Sequence, residues 1–272
     1  MILFASDLDR TLIYSQKMLE KYGKKKDVCI AETKDGEPIT FITKTSIDLL
    51  KQIAQNSIFV PVTTRTRDQY SRISAIHKQI SPKYVITENG GNIWVHEKPV
   101  TDWNELMKNR IKEECLSIKE LSKKFKEIQN DSWVKFFREI DDLFAYCVFY
   151  KQTVPFKELR LLQDYFKQNK WRTVFHGNKM YFVPICLTKG SAVKYIADQE
   201  DVNHIVAAGD SVLDLDLTDA ASTFISPLHG QIYDSYGENK NYMDISYTDK
   251  QGIKAGEEIL EMILDIINKE KH

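Results

Sequence analysis

Short apolar runs that alternate with stretches of helical periodicity are the feature that most limits what this chain can fold into. The apolar runs are residues 2–5, 58–62 and 84–87, and they have the character of strands buried on both faces. Between them, residues 45–55 and 67–80 carry apolar side chains at helical spacing. A strand–helix–strand rhythm of this kind is typical of a parallel sheet with right-handed crossovers. The sequence therefore predicts an α/β fold.

This rhythm is interrupted in the middle of the chain. From about residue 97 the sequence becomes strongly charged and helical over 102–129, and strand-like runs such as FAYCVFY follow. Strands mixed with helices, without the buried parallel pattern, indicate a separate α+β unit. The α/β rhythm returns with a helix predicted at 189–199 and a buried strand at 204–208. We therefore expect a core made of residues 1–96 and 186–272, and an inserted domain at 97–185.

Composition and charge exclude several classes of protein. The 38 Lys and Arg residues balance 39 Asp and Glu residues, which gives no electrostatic case for a nucleic acid or a membrane as partner. No apolar run approaches the roughly 18 residues that a membrane span needs. The four cysteines are widely scattered and form no zinc-type cluster. These features predict a cytoplasmic protein with free thiols, and they leave its oligomeric state open.

A β-hairpin is predicted shortly after the first strand. Strand-like segments at 28–33 and 38–43 flank an Asp35-Gly36 pair, and Asp-Gly is a strong hairpin signal. Such a hairpin could border a functional site or could be an ordinary surface feature. The sequence favours neither interpretation.

Two carboxylates follow the first apolar run. If the chain stays extended there, Asp7 and Asp9 point the same way because residues two apart share a face. Two like charges placed together are costly without a cation or a shared proton, so a metal ion or proton chemistry is expected. The simpler alternative is that both residues only end a strand and cap a turn.

Further polar residues follow other predicted strands. In an open parallel sheet the ligand site lies beyond the carboxyl ends of the strands. Thr63 follows the second strand, Asp210 and Asp214 follow a later one, and Lys189 begins a helix between them. Each has a structural alternative, since Thr63 could cap a helix, Lys189 could be solvated and Asp210 could form a turn.

Together these segments resemble the four motifs of haloacid dehalogenase (HAD) superfamily phosphatases. The matching segments, in chain order, are SDLDRT, VPVTTR, TKGSAVKYI and AAGDSVLDLDL. The segments ITENGG and MYFVPICLTKG look like the borders of a C2-type cap, of the C2B kind, as in the Cof-type and sucrose-phosphatase-like branch. The resemblance implies a Rossmann-like parallel-sheet core with an inserted α+β cap domain. It covers the core, and the cap sequence itself is only weakly informative.

The resemblance also implies roles for the acidic residues. Asp7 would attack phosphorus and form an aspartyl-phosphate, and Asp9 would serve as the general acid and base. Mg²⁺ would lie between Asp7, the backbone carbonyl of Asp9 and Asp210. Asp214 would orient either a metal-bound water or Lys189.

Positive charge and donors around the phosphoryl oxygens are implied as well. Thr63 would supply a hydroxyl and Lys189 an ammonium group. Arg65 would reach the substrate or the cap, or would form a structural ion pair. The sequence departs from the commoner pattern at Arg10, where many relatives have a smaller residue, and at Thr64, where many have glycine. Neither departure removes a catalytic group.

The leading hypothesis is a Mg²⁺-dependent phosphomonoester hydrolase whose substrate is a small phosphorylated metabolite. Within that class, a sugar phosphate is the favoured substrate. A phosphomutase would use the same residues but needs a second phosphate site, which the sequence does not display. A catalytically silent metabolite-binding or regulatory module is a further alternative. A dinucleotide-binding function is disfavoured because no GxGxxG follows the first strand.

Overall fold

The computed structural model of the chain describes residues 1–23, 26–237 and 244–270. It separates into two compact units, one made of Met1–Pro99 with Lys189–His272 and the other of Val100–Thr188. Within the described ranges, none of the helices has the length and apolar character needed to cross a bilayer.

The elements are numbered in chain order. The strands are β1 (Ile2–Ser6), β2 (Tyr14–Ser15), β3 (Val28–Lys34), β4 (Glu37–Thr43), β5 (Ile58–Pro61), β6 (Tyr84–Thr87), β7 (Asn92–Val95), β8 (Lys98–Pro99), β9 (Val134–Ile140), β10 (Phe144–Phe149), β11 (Trp171–His176), β12 (Lys179–Pro184), β13 (His204–Ala208), β14 (Thr223–Ser226) and β15 (Ile245–Tyr247). The α-helices are α1 (Gln16–Tyr22), α2 (Lys44–Asn56), α3 (Arg67–Ser71), α4 (Ser74–His77), α5 (Thr101–Glu114), α6 (Ile118–Lys126), α7 (Phe156–Gln168), α8 (Lys189–Gln199), α9 (Gln231–Tyr236) and α10 (Ile253–Lys269). Short 3₁₀ helices lie at Glu88–Gly90, Lys151–Thr153 and Val212–Asp219.

The first unit is built on a parallel sheet with strand order β15-β14-β13-β1-β5. Strand β1 is central, and its Leu3 pairs with Ile205 on one side and Ile58 on the other. All five residues of β1 are buried, as expected for a strand with packed layers on both faces. The predicted α/β architecture is confirmed.

Helix α2 shows why the sequence forms these elements. Thr43 caps it by accepting a hydrogen bond from the Ser46 amide at 3.0 Å. Its inner face buries Ile47, Leu50 and Ile53 at helical spacing, in the same apolar cluster as residues of α10. This layer covers one face of the sheet and leaves the strand ends free for polar residues.

The predicted helix at 67–80 is wrong in detail, because the structure has two short helices there. Arg72 and Ile73 lie between α3 and α4, and Ile73 has a ψ of 73° that no α-helix contains. The neighbouring Ser71 hydroxyl bonds back to the Arg67 carbonyl at 2.9 Å, a local interaction that competes with helix continuation. Burial of Tyr70, Ile73 and Ile76 offsets the loss of helical hydrogen bonds.

The predicted hairpin is present as β3 and β4, which pair in antiparallel fashion. Asp35 and Gly36 form its turn with φ values of 53° and 85°, the left-handed conformation that an Asp-Gly pair adopts readily. Strand β2 completes this small sheet in the order β2-β4-β3.

The second unit is an antiparallel sheet with strand order β11-β12-β10-β9 and packed helices. Its own apolar core contains Phe125, Trp133, Phe166, Trp171 and Phe182. The predicted helical region 102–129 divides into α5 and α6 here, because Ser117 caps α6 by accepting from the Glu120 amide. An independent core of this size indicates a unit with its own packing.

Candidate active site

The candidate site lies beyond the carboxyl ends of three neighbouring strands of the first unit. In the sheet order β13-β1-β5, a polar side chain follows each strand within two residues of its end. The Asp7 amide donates to the Ala208 carbonyl at 2.9 Å, and the Val62 amide donates to the Ser6 carbonyl at 2.8 Å. Because the strands are parallel, this ladder brings Asp7, Thr63 and Asp210 to one edge of the sheet.

Lys189 is the buried cation of this edge. Only 1% of its side chain is exposed, and its Nζ lies 2.8 Å from Asp7 Oδ1 and 2.5 Å from Asp214 Oδ1. The same atom donates to the Val62 carbonyl at 3.3 Å. Burial lowers the pKa of Lys189, but the charges of Asp214 and Asp7 more than offset this, so that its pKa is raised. The ammonium group is therefore kept charged and fixed in place.

Asp214 is positioned by its own turn. Its Oδ2 accepts from both the amide and the hydroxyl of Ser211, each at 2.8 Å, while Oδ1 accepts from Lys189. Gly209 leaves the space that this arrangement needs, because a Cβ added there would lie 2.3 Å from Asp214 Cβ. The glycine of the GDxxxD motif is thus required for packing against the aspartate side chain.

Three carboxylates could hold a metal ion. Asp7, Asp210 and Asp214 are buried and place one oxygen each within 4.8 Å of the others. Burial raises the pKa of Asp7 to about 7, with Asp214 adding to the rise and Lys189 opposing it. Burial likewise raises the pKa of Asp210 well above its usual range, while Arg10 opposes that rise. An all-oxygen donor set with an excess of buried negative charge fits a hard divalent cation such as Mg²⁺.

The Asp9 side chain lies apart from that cluster. It is 46% exposed and accepts two hydrogen bonds from Arg65, from Nε to Oδ2 at 2.6 Å and from Nη2 to Oδ1 at 2.7 Å. Such a bidentate contact fixes the orientation of the carboxylate plane. The side chain of Arg65 therefore forms an ion pair, which was one of the two alternatives for this residue.

Glu32, from the hairpin strand β3, lies behind Arg65. It is 1% exposed and accepts from Arg65 Nη1 at 2.7 Å and from Arg72 Nε at 3.1 Å. Burial lowers the pKa of Arg65, but the charges and hydrogen bonds of Asp9 and Glu32 more than offset this, so that its pKa is raised and the guanidinium stays charged. Sequence reasoning missed Glu32, since a single acidic residue in a hairpin strand gives no signal of its own. The hairpin nonetheless reaches Asp9 through Arg65.

Arg10 contacts a second carboxylate of the site. Its Nε lies 2.7 Å from Asp210 Oδ2, and its Nη2 donates to the His229 carbonyl at 3.2 Å. The His229 ring Nε2 lies 2.9 Å from the Arg10 carbonyl, and its Nδ1 accepts from the Gly252 amide at 3.0 Å. The neutral ring therefore carries its proton on Nε2. His229 was not among the residues that the sequence identified.

Thr63 and Asp216 complete the surroundings of the site. Thr63 is buried, and its hydroxyl oxygen accepts from the Arg65 amide at 3.1 Å, which leaves its own O–H able to donate. Asp216 accepts from the Gly190 amide at 3.3 Å. That contact supports the first turn of α8 and hence Lys189.

The α/β core, with carboxylates and a buried lysine beyond its strands, defines a phosphatase of the HAD superfamily. A family model described as sucrose-6F-phosphate phosphohydrolase matches residues 1–226. The chain belongs to the sucrose-6F-phosphate phosphohydrolase family. The predicted superfamily and phosphatase class are therefore confirmed. No curated protein matches the chain significantly.

Solved structures share the fold at low sequence identity. The sucrose-phosphatase of Synechocystis sp., solved in complex with sucrose and phosphate, is 17% identical with a TM-score of 0.68, covering 97% of each chain. A haloacid dehalogenase-like hydrolase from B. subtilis is 14% identical with a TM-score of 0.58, covering 97% of this chain and 99% of its own. The trehalose-6-phosphate phosphatase of Aspergillus fumigatus is 11% identical with a TM-score of 0.54, covering 98% of this chain and 92% of its own.

Proposed function

We propose that the protein is a Mg²⁺-dependent phosphomonoester hydrolase that acts on a small sugar phosphate through an aspartyl-phosphate intermediate. The observation that carries the proposal is the buried contact of Lys189 with both Asp7 and Asp214 beside Asp210. Membership of a family named for a sugar-phosphate hydrolase supports the substrate class. The second unit, as an inserted cap, would select the sugar.

Asp7 is the proposed nucleophile. Lys189 contacts its Oδ1 at 2.8 Å, and the Thr11 hydroxyl lies 3.4 Å from its Oδ2. These contacts hold the carboxylate in one orientation, which favours attack on phosphorus in line with the leaving group. A covalent aspartyl-phosphate divides a difficult hydrolysis into two easier transfers.

Asp9 is the proposed general acid and base. In the first transfer it would give a proton to the leaving sugar oxygen, and in the second it would take a proton from the attacking water. Arg65 donates to both oxygens of Asp9 and so fixes the orientation of its carboxylate. Its partial exposure allows a substrate to reach it.

Charge stabilisation accounts for most of the expected rate enhancement in phosphoryl transfer. Lys189 would place a fixed ammonium group, and Thr63 a hydroxyl donor, beside the phosphoryl oxygens. Asp7, Asp210 and the carbonyl of Asp9 would hold Mg²⁺, with Asp214 reaching it directly or through water. The bound cation would offset the negative charge of the phosphoryl group and of the carboxylates.

A panel of phosphate esters tests this function. We expect Mg²⁺-dependent release of phosphate from sugar phosphates, including a phosphorylated disaccharide, and loss of activity in chelator that added Mg²⁺ restores. Asp7→Asn should lower kcat at least about 10³-fold because it removes the nucleophile. Unchanged turnover in Asp7→Asn, in protein purified free of other phosphatases, would exclude the proposed nucleophile.

The same panel separates the alternatives. Conversion of a sugar phosphate to an isomer without release of phosphate would indicate a phosphomutase. Tight binding of a phosphorylated metabolite with no turnover of any ester would indicate a catalytically silent module. Direct detection of a phosphorylated Asp7 by rapid quenching and peptide mass analysis would support the covalent intermediate.

A further inference from the structure

Two cysteines of the second unit lie side by side. Cys115 and Cys186 are 71 residues apart in sequence, yet their Sγ atoms are 3.9 Å apart, within hydrogen-bond distance for sulfur. Cys115 directly follows α5, and Cys186 lies two residues beyond β12. A disulfide requires the two sulfurs to approach to about 2 Å. A small movement of the two side chains would bring them into bonding range.

The backbone around the pair fixes this proximity. The Lys170 carbonyl accepts hydrogen bonds from two segments, from the Ile185 amide at 2.9 Å and from the Cys115 thiol at 3.4 Å. The next residue after Cys115, Leu116, donates its amide to the Asn169 carbonyl at 3.2 Å. Three separate segments of the unit are thus hydrogen-bonded together at the two thiols, so their proximity is built into the fold.

The surroundings make the two thiols chemically unequal. The hydrogen bond between the two thiols lowers the pKa of Cys186, and the nearby Arg110 lowers it further, while burial and Glu114 oppose them. The same bond raises the pKa of Cys115, with burial adding to the rise. The thiolate is the reactive form of cysteine. Whichever of the two sulfurs is oxidised first, the other lies 3.9 Å away and can resolve it.

The remaining cysteines provide internal controls. Cys147 is fully buried in the core of the second unit, and burial raises the pKa of its thiol to about 12. Cys29 belongs to the hairpin of the other unit, where its thiol lies 3.7 Å from the Asp27 carbonyl. The hydrogen bonds described for these two involve no second sulfur.

We propose that Cys115 and Cys186 form a peroxide-sensitive dithiol that converts reversibly into a disulfide. The thiolate of one cysteine attacks one oxygen of hydrogen peroxide, the O–O bond breaks, and hydroxide leaves and takes up the proton that the thiol lost. The resulting sulfenic acid is attacked by the other cysteine, which forms the S–S bond and releases its proton and the hydroxyl as water. Two thiols and one peroxide thus give one disulfide and two waters. This proposal is independent of the phosphatase function.

The disulfide would close most of the second unit into one ring. The ring would contain every element from α6 to β12 and would tie the end of the first helix to the last segment of the unit. Crosslinks that close long loops restrict the unfolded chain most. The oxidised unit should therefore unfold at a temperature higher by roughly 5 °C or more than the reduced one.

Mass spectrometry of the full chain tests the proposal. After mild treatment with hydrogen peroxide, we expect a loss of two hydrogen atoms, a crosslinked peptide pair containing Cys115 and Cys186, and full reversal by dithiothreitol. Cys115→Ser and Cys186→Ser should instead each accumulate a sulfenic acid at the remaining sulfur, which dimedone traps.

Cys29→Ser and Cys147→Ser are the matched controls, and both should still form the crosslink at the wild-type rate. Separate sulfinic acids at the two sulfurs without a crosslink would overturn the proposal. Oxidation of Cys29 before either of them would do the same. If a serine variant unfolds, the presence or absence of the Cys115–Cys186 crosslink in the wild-type protein tests the proposal, because that measurement needs no substitution.

Discussion

At the scale of single residues, the site depends on one buried cation among buried carboxylates. Lys189 contacts Asp7 and Asp214 and has almost no exposed surface. Removing one partner of a buried ion pair leaves an uncompensated charge, which is far costlier than losing a surface pair. Stability and activity should therefore both depend on this side chain.

Replacing Lys189 by methionine tests that expectation. Lys189→Met keeps the aliphatic stem but removes the ammonium group, so Asp7 and Asp214 would repel each other without compensation. We expect the free energy of unfolding to fall by about 3 kcal/mol and kcat to fall at least about 10³-fold. Urea denaturation and steady-state kinetics measure the two effects.

Lys194→Met is the matched control, because Lys194 belongs to the same helix and is exposed. Its effect on stability should stay within about 0.5 kcal/mol. Full activity of Lys189→Met would remove the lysine from the proposed chemistry.

At the scale of elements, the β3–β4 hairpin is connected to the site through a chain of charges. Glu32 holds Arg65, and Arg65 holds Asp9. The sequence predicted the hairpin and left open whether it borders a site. The contacts favour a positioning role, because the orientation of Asp9 depends on an arginine that the hairpin itself anchors.

We predict that Glu32→Gln impairs the general-acid step more than any other step. With one of its partners neutral, Arg65 would hold Asp9 less firmly, and protonation of a poor leaving group would slow. We expect kcat/KM to fall roughly 10- to 100-fold for an alkyl phosphate. For p-nitrophenyl phosphate, whose leaving group needs no proton, it should fall less than about threefold.

Glu37→Gln, an exposed change on the same hairpin, should leave both substrates unaffected. Equal losses on the two substrates would mean that Glu32 acts only on the fold. Glu32→Asp, which keeps the charge, should recover part of the alkyl phosphate activity.

Elements also show what the sequence could and could not predict. Positions such as Asp7, Thr63 and Asp210 were identifiable because each follows an apolar strand, and a parallel sheet gathers such ends at one edge. The roles of these residues stay predictions. The contacts of Arg65 with Glu32 and of Arg10 with Asp210 join residues 33 and 200 positions apart. Local periodicity carries no information about pairs so distant, so these contacts could not be predicted.

The edge strand β15 escaped prediction for a related reason. Its three residues are partly buried or exposed. They therefore lack the apolar run that identifies the central strands in the sequence. Pairing with β14 at Phe224 defines it instead. Edge strands depend more on a neighbour than on their own composition.

At the scale of the whole molecule, His229 joins distant parts of the first unit. Its ring bonds to the Arg10 carbonyl and to the Gly252 amide, and it packs against Tyr14 and Tyr22. Both ring nitrogens are used, and the neutral form satisfies both contacts. Protonation would place a hydrogen on Nδ1 against the Gly252 N–H, so the fold requires the uncharged ring.

The pH dependence of stability follows from that requirement. The pKa of His229 is lowered to about 4, mainly by burial; its bond to the Arg10 carbonyl opposes the lowering, and the charges of Arg10 and Lys21 add to it. The unfolded chain would bind a proton near pH 6.5, its ordinary value. Since the unfolded state then binds more protons than the folded state, this contribution to stability is complete above about pH 6.5 and is lost as the pH falls toward 4.

We therefore predict that His229 accounts for about 2 kcal/mol of the stability that the first unit loses between about pH 7 and pH 5. In His229→Gln, which cannot be protonated, the loss over this interval should be smaller by that amount. Hydrogen exchange of the β1 and β13 amides measures the first unit separately. His96→Asn, at an exposed histidine with a φ of 46° that asparagine tolerates, is the control and should keep the wild-type dependence. An identical pH dependence in His229→Gln and the wild type would show that the buried ring is protonated in the folded protein.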